Sequence, residues 1–162
     1  MIVVSDTSPI LNLSRIGRLD LLPRLYQRVL VPPAVASELT ASAEDLPSAP
    51  NLLALPWLSV ENVIDISRVR ALRTELDAGE AETIVLALER NASLLLVDER
   101  RGRRIASTAG LRVMGLLGVV AAAKQAGLIE AAKPVIDDLI HQARFWVAKS
   151  LYDEVLAELD ER

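Results

Sequence analysis

Apolar residues fall along this chain in short unbroken runs rather than in alternation with polar ones: "IVV" at 2–4, the core of "RVLVP" at 28–32, "LLLV" at 94–97 and the core of "LRVMG" at 111–115. Such runs read as strands buried on both faces. Helical patterns separate them. Ser8 and Pro9 predict an N-cap and first helical position, followed by Ile10, Leu11, Leu13 and Ile16, with Gly17 as the stop. "RLDLLPRLY" predicts a second helical piece, and Pro32 and Pro33 open a third in "PPAVASELT". The stretch from Ser42 to Pro50 is small, acidic and proline-bearing and reads as a surface loop; "LPWLSVENV" reads as a short strand or irregular bridge. From Ile66 the pattern turns helical. "LDAGEAETIVLALERN" starts like a capping box, Asp77 capping and Glu80 reaching back, with Ala81, Ile84, Val85 and Leu88 lining one side. A basic helix follows Asp98, "LLGVVAAAKQAG" makes another, and from Pro134 two more are expected to pack with help from Trp146 and Tyr152.

Strands without alternation, separated by helices, predict an α/β fold: a three-layer α/β/α sandwich around a central parallel sheet. There is no internal repeat or composition shift, so the expectation is a single domain over 1–162 with a C-terminal helical extension from about 133. Composition sharpens this. At 162 residues and 51% hydrophobic the chain can bury a sizeable core. It has no cysteine, which removes disulfides, thiolate metal sites and a cysteine nucleophile and points to a cytoplasmic location; His141 is the only histidine, which argues against zinc and against a Ser-His-Asp arrangement. The N-terminal apolar run is broken at once by Asp6, and "VMGLLGVVAAA" is too short to cross a bilayer, so neither a signal peptide nor a membrane span is expected. A net charge of −4 argues against broad attraction to nucleic acid but leaves room for a local basic groove, and 3% aromatics leave little surface for base stacking.

The candidate chemistry is acidic. Asp6 and Asp98 each stand just past a predicted parallel strand, at the edge where reactive groups gather in open α/β sheets. Carboxylates brought together there raise one another's pKa, and a hard divalent cation, Mg2+ or Mn2+, relieves the strain. Glu38, late in "PPAVASEL", and Glu80 or Glu82 would complete the group, with Ser8 or Thr7 placing a metal-bound water and Glu99 in a supporting role. Each has a plainer reading as well. Asp6 and Asp98 suit helix caps, Glu80 a capping box, Glu82 the flank of an apolar stripe, Glu38 and Glu99 solvated helix faces. Arg100 and Arg101, with Arg103 and Arg104, read as a phosphate-holding patch or as a solvated face.

"VVSDTSPIL", "VPPAVASEL", "GEAETIVLAL" and "LLLVDERRGRRIA", in that order, resemble the PIN-domain nucleases, and in particular a PIN-like branch with GE-x-E in place of the usual central Asp. "GLLGVVAAAKQAGLI" and "ARFWVAKSLYDEVL" resemble the tail of that branch, so the likeness covers nearly the whole chain. The resemblance implies a magnesium- or manganese-dependent ribonuclease, similar to the VapC-like toxins of toxin–antitoxin pairs, in which Asp6 matches the first acid, Glu38 the second and Asp98 the late acid. The central acid stays open: Glu82 takes the place of the usual Asp, Glu80 matches the branch's own GE. An RNA substrate, a small antitoxin and a homodimer are further implications, with Val69, Leu72 and the C-terminal helices as candidate antitoxin surfaces. A catalytically weak binding or regulatory module of the same fold is the alternative. A phosphatase of the haloacid dehalogenase type ranks lower, because Ser8 occupies the position of its second Asp, and the first turn lacks a dinucleotide-binding glycine fingerprint.

Overall fold

The computed structural model describes residues 1–43 and 51–161. Its centre is a five-stranded sheet of β1 (Val3–Ser5), β2 (Val29–Val31), β3 (Leu58–Val60), β4 (Leu94–Leu96) and β5 (Val113–Met114) in the order β3-β2-β1-β4-β5. Every pairing is parallel, with Val3 opposite both Val29 and Leu94. Around it lie α1 (Thr7–Arg15), α2 (Leu21–Tyr26), α3 (Pro33–Ser42), α4 (Ile66–Leu72), α5 (Ala78–Glu89), α6 (Arg100–Thr108), α7 (Leu116–Gln125), α8 (Lys133–His141) and α9 (Lys149–Glu158).

Successive strand residues feed opposite cores, as a period of two requires. Val3, Val29, Val31, Leu94 and Leu96 face one cluster with Ile10, Leu13, Leu39, Leu116, Val120 and Ile136; Val4, Leu30, Leu95 and Val97 face a second with Ile84, Val85, Leu86 and Ala106. The expected three-layer sandwich is the fold of this chain. α8 adds Val135, Ile136 and Leu139 to the first of these cores, so the C-terminal helices are part of the same body.

Several local expectations need correction. α1 begins at Thr7 with Asp6, not Ser8, at the N-cap, because the chain turns directly off β1. Asp98 does not cap the helix that follows it, whose N-cap is Glu99; its carboxylate instead accepts the first N–H of α7. Only half of the capping box forms, with Asp77 Oδ1 accepting the Glu80 N–H at 2.8 Å. Val69 is buried in the second core and offers no surface to a partner. Trp146 is 82% exposed and packs no helices. Tyr152 does tie α9 to α8, its hydroxyl donating to Asp137 Oδ1 at 2.6 Å. Of the expected loop from Ser42 to Pro50, Ser42 belongs to α3, while 44–50 lie outside the described residues.

Candidate active site

The chain runs from β1 outward to β2 and β3, then returns to place β4 on the other side of β1. This is the point at which strand order reverses, and loops leaving adjacent strand ends there diverge and leave a crevice. Asp6 leaves β1 and Asp98 follows β4, and the two strand ends are locked together by the Asp6 N–H on Leu96 O at 2.9 Å. A cleft of about 220 Å³ opens here, lined by Asp6, Thr7, Ser8, Asn12, Arg15, Glu38, Asp77, Glu80 and Glu99 among others.

Asp6 is 7% exposed. Its pKa is pushed up to about 7, first by burial and then by the charges of Asp77, Glu38 and Asp98, against a lowering hydrogen bond from the Thr7 backbone. Glu38 reaches the cleft from α3 and accepts a hydrogen bond from Thr7 Oγ1. Asp98 accepts the Leu116 N–H at 2.7 Å on Oδ1 and faces the Ser8 hydroxyl at 3.4 Å on Oδ2. Burial raises its pKa, while those two donors and Arg103 pull it back. Glu80 is 9% exposed and is raised to about 7, by burial first and then by the Asp77 carboxyl beside it.

Glycines make room for these carboxylates. A Cβ on Gly79 would stand 2.7 Å from Glu38 Oε1, one on Gly102 2.9 Å from Glu80 Oε2, and one on Gly115 3.1 Å from Asp98 Oδ1. Their absent side chains let α5, α6 and the start of α7 close on the acids.

Of the residues expected from sequence, Asp6, Glu38, Glu80, Ser8 and Glu99 line one cleft, and Asp98 joins them through Ser8. Glu82 points elsewhere: its carboxylate accepts the Ala34 N–H at 3.1 Å, closing the open first turn of α3. Arg100 and Arg101 line a neighbouring cleft of about 450 Å³ with Arg104, Glu75 and Leu76; it shares Glu80 and Glu99 with the first. Sequence reading missed Asp77, Asn12 and Arg15 as parts of the site. The capping role of Asp77 hides its place at the cleft, and the helical spacing of Ser8, Asn12 and Arg15 on α1 is the signal that points to the other two.

The donor set suits Mg2+ or Mn2+ in chemistry: hard carboxylate oxygens, mutually repelling, with no ion-pair partner for Asp6, Glu38, Glu80 or Asp98 among the described residues. Among those same residues no three acidic or histidine side chains already converge on a single point. Thr7, Ser8 and the Leu116 N–H hold Glu38 and Asp98 in their present positions.

A family model named DUF3368 and described as a PIN domain matches residues 2–161. Among solved structures the chain is similar to a PilT N-terminus domain protein from the hyperthermophilic archaeon Sulfolobus solfataricus P2, with 19% identity over 76% of this chain and 93% of that one and a TM-score of 0.54. No curated protein sequence gives a significant match.

Proposed function

Because the chain belongs to the DUF3368 family of PIN domains, we propose that the cleft between β1 and β4 hydrolyses RNA phosphodiester bonds with a magnesium or manganese ion. The observation that carries this reading is Asp6: an almost fully buried carboxyl with no ion-pair partner among the described residues, its pKa lifted further by three surrounding acids. A protein accepts that cost where a cation is meant to sit. Asp6, Glu38, Glu80 and Asp98 are the residues that would hold it. When bound, the ion supplies a water of lowered pKa and stabilises the leaving oxygen. Ser8, whose hydroxyl faces Asp98, would orient an attacking water; Thr7 fixes Glu38; Arg100 and Arg101 in the adjoining cleft would hold the strand. Glu82, engaged at α3, is left out of the ligand set.

The finer role in this reading is that of a cytoplasmic toxin, acting as a homodimer and restrained by a small antitoxin; the resemblance of its motifs to VapC-like toxins supports it. Trp146 and Leu151, both exposed in the C-terminal part, replace Val69 as candidate contacts.

The purified chain is expected to cut structured RNA in the presence of manganese or magnesium, Asp6→Asn to abolish the cutting, and Glu82→Gln to leave most of it. Equal rates for wild type and Asp6→Asn refute the assignment. The glutamate-type central acid of the GE-x-E motif favours a second reading, a binding module that has lost turnover. Calorimetry separates the two, since a chain that takes up RNA but no divalent ion is the module.

A further inference from the structure

Arg15 is exposed at the mouth of the Asp6 cleft. Among the described residues it makes no ion pair, although Asp6, Glu38, Asp77, Glu80 and Glu99 line the same cleft. A neutral group holds it instead, Arg15 Nη1 donating to Asn12 Oδ1 at 3.2 Å.

Asn12 is 7% exposed, in a helical turn whose neighbours Leu11 and Leu13 are buried and apolar. A buried amide there is costly unless both its ends are satisfied. Both are. Its Nδ2 donates to Ser8 Oγ at 3.0 Å, which directs the proton of Ser8 toward Asp98 Oδ2. Spaced four and then three residues apart, Ser8, Asn12 and Arg15 share one face of α1. They form a hydrogen-bonded line from the acidic floor of the cleft to its rim.

A guanidinium carries five N–H donors in a planar fork, and Asn12 occupies only part of that fork. The remaining donors match phosphate oxygens. On the far side of Glu80 and Glu99, Arg100, Arg101 and Arg104 wall the second cleft, so the acids lie between cations at either end. An anionic strand laid across the acids meets positive charge before and after them.

We propose that Arg15 contacts a backbone phosphate of the RNA strand beside the bond to be cut, and that Asn12 is the positioning residue that aims it. This rests on the hydrolase reading above and adds one end of the strand's path.

The test is the salt dependence of binding. A 5′-fluorescein single-stranded RNA oligonucleotide is titrated with the full chain in calcium over a series of KCl concentrations, anisotropy is followed, and a gel checks that the strand stays intact. Losing one phosphate contact on a single strand lowers the slope of log affinity against log salt by about 0.7. Arg15→Gln is expected to show that loss, Arg15→Lys to keep the slope with weaker binding, and Asn12→Leu to lose slope as Arg15→Gln does with an unchanged melting temperature. Asn12→Ala, which adds no bulk, takes its place if the leucine variant fails to fold. An unchanged slope in Arg15→Gln while wild type binds overturns the phosphate contact; an unchanged slope in the Asn12 variant overturns the positioning role. If wild type neither binds nor cuts RNA, the hydrolase reading has failed, and this proposal falls with it.

Discussion

At Asp6 the interests of fold and site oppose each other. The folded state holds its carboxyl near 7, against an ordinary value of 3.8, so the folded chain binds the extra proton more tightly than the unfolded one does. The sign follows: this residue favours folding below about pH 4, and its contribution is lost as pH rises toward 7. Asp6→Asn removes the penalty. Without divalent ions at pH 8 it is expected to stabilise the chain by about 2 kcal/mol, roughly 4–8 °C in melting temperature at this length. The gain shrinks at pH 5, where wild type is already protonated, and a gain equal at both pH values would show that the charge at Asp6 carries no such cost. The residue types of the site were legible in sequence because a strand followed at once by an acid is a sharp local signal, at Asp6 and again at Asp98. The choice between Glu80 and Glu82 was not legible. Both sit in the first turns of α5, and only the closeness of α3 decides that Glu82 serves the Ala34 N–H instead.

Among elements, α6 shows how a helix is fitted to the site. Gly102 lies in its first turn, where alanine would favour the helix by up to about 1 kcal/mol. The added Cβ meets Glu80 Oε2 and, at 3.3 Å, Val97 Cγ2. Gly102→Ala is therefore expected to leave the melting temperature within a few degrees of wild type while manganese affinity, measured by calorimetry, falls about tenfold. Retained affinity would mean that Glu80 has no need of that space. Strand and helix existence could be read from the apolar runs and the proline starts, since those depend on neighbours in sequence. The role of the glycines could not, because what each one touches lies on another element. Trp146 failed as a packing residue for a related reason: large apolar side chains are read as core by default, and nothing local marks one that the fold leaves outside.

The scale of the whole molecule is set by the sheet order. Parallel pairing with helices on both faces was foreseeable from the pattern; which strand neighbours which was not, since pairing is decided by contacts far apart in sequence. One such long-range tie closes the C-terminal part: Glu161 accepts from the Ala132 and Lys133 backbone at 2.7 and 2.9 Å and from Lys124 Nζ at 2.8 Å. Its pKa lies near 2, held down by Lys124 and those amides against the opposing effect of burial. Glu161→Gln is expected to lower the melting temperature by roughly 3–6 °C at pH 7. The sign here is the reverse of that at Asp6: the contribution is full above about pH 4.5 and is lost as pH falls through 2, so the two proteins should converge in acid, and a constant difference would disprove the ionic origin. The placement of β4 beside β1 has a consequence for synthesis. Leu96 and Asp98, which complete the surroundings of Asp6 and Ser8, are translated some ninety positions after them. A nascent chain that has not yet released β4 therefore holds only half of this acidic cluster, and under the hydrolase reading the centre could act only once the molecule has closed upon itself.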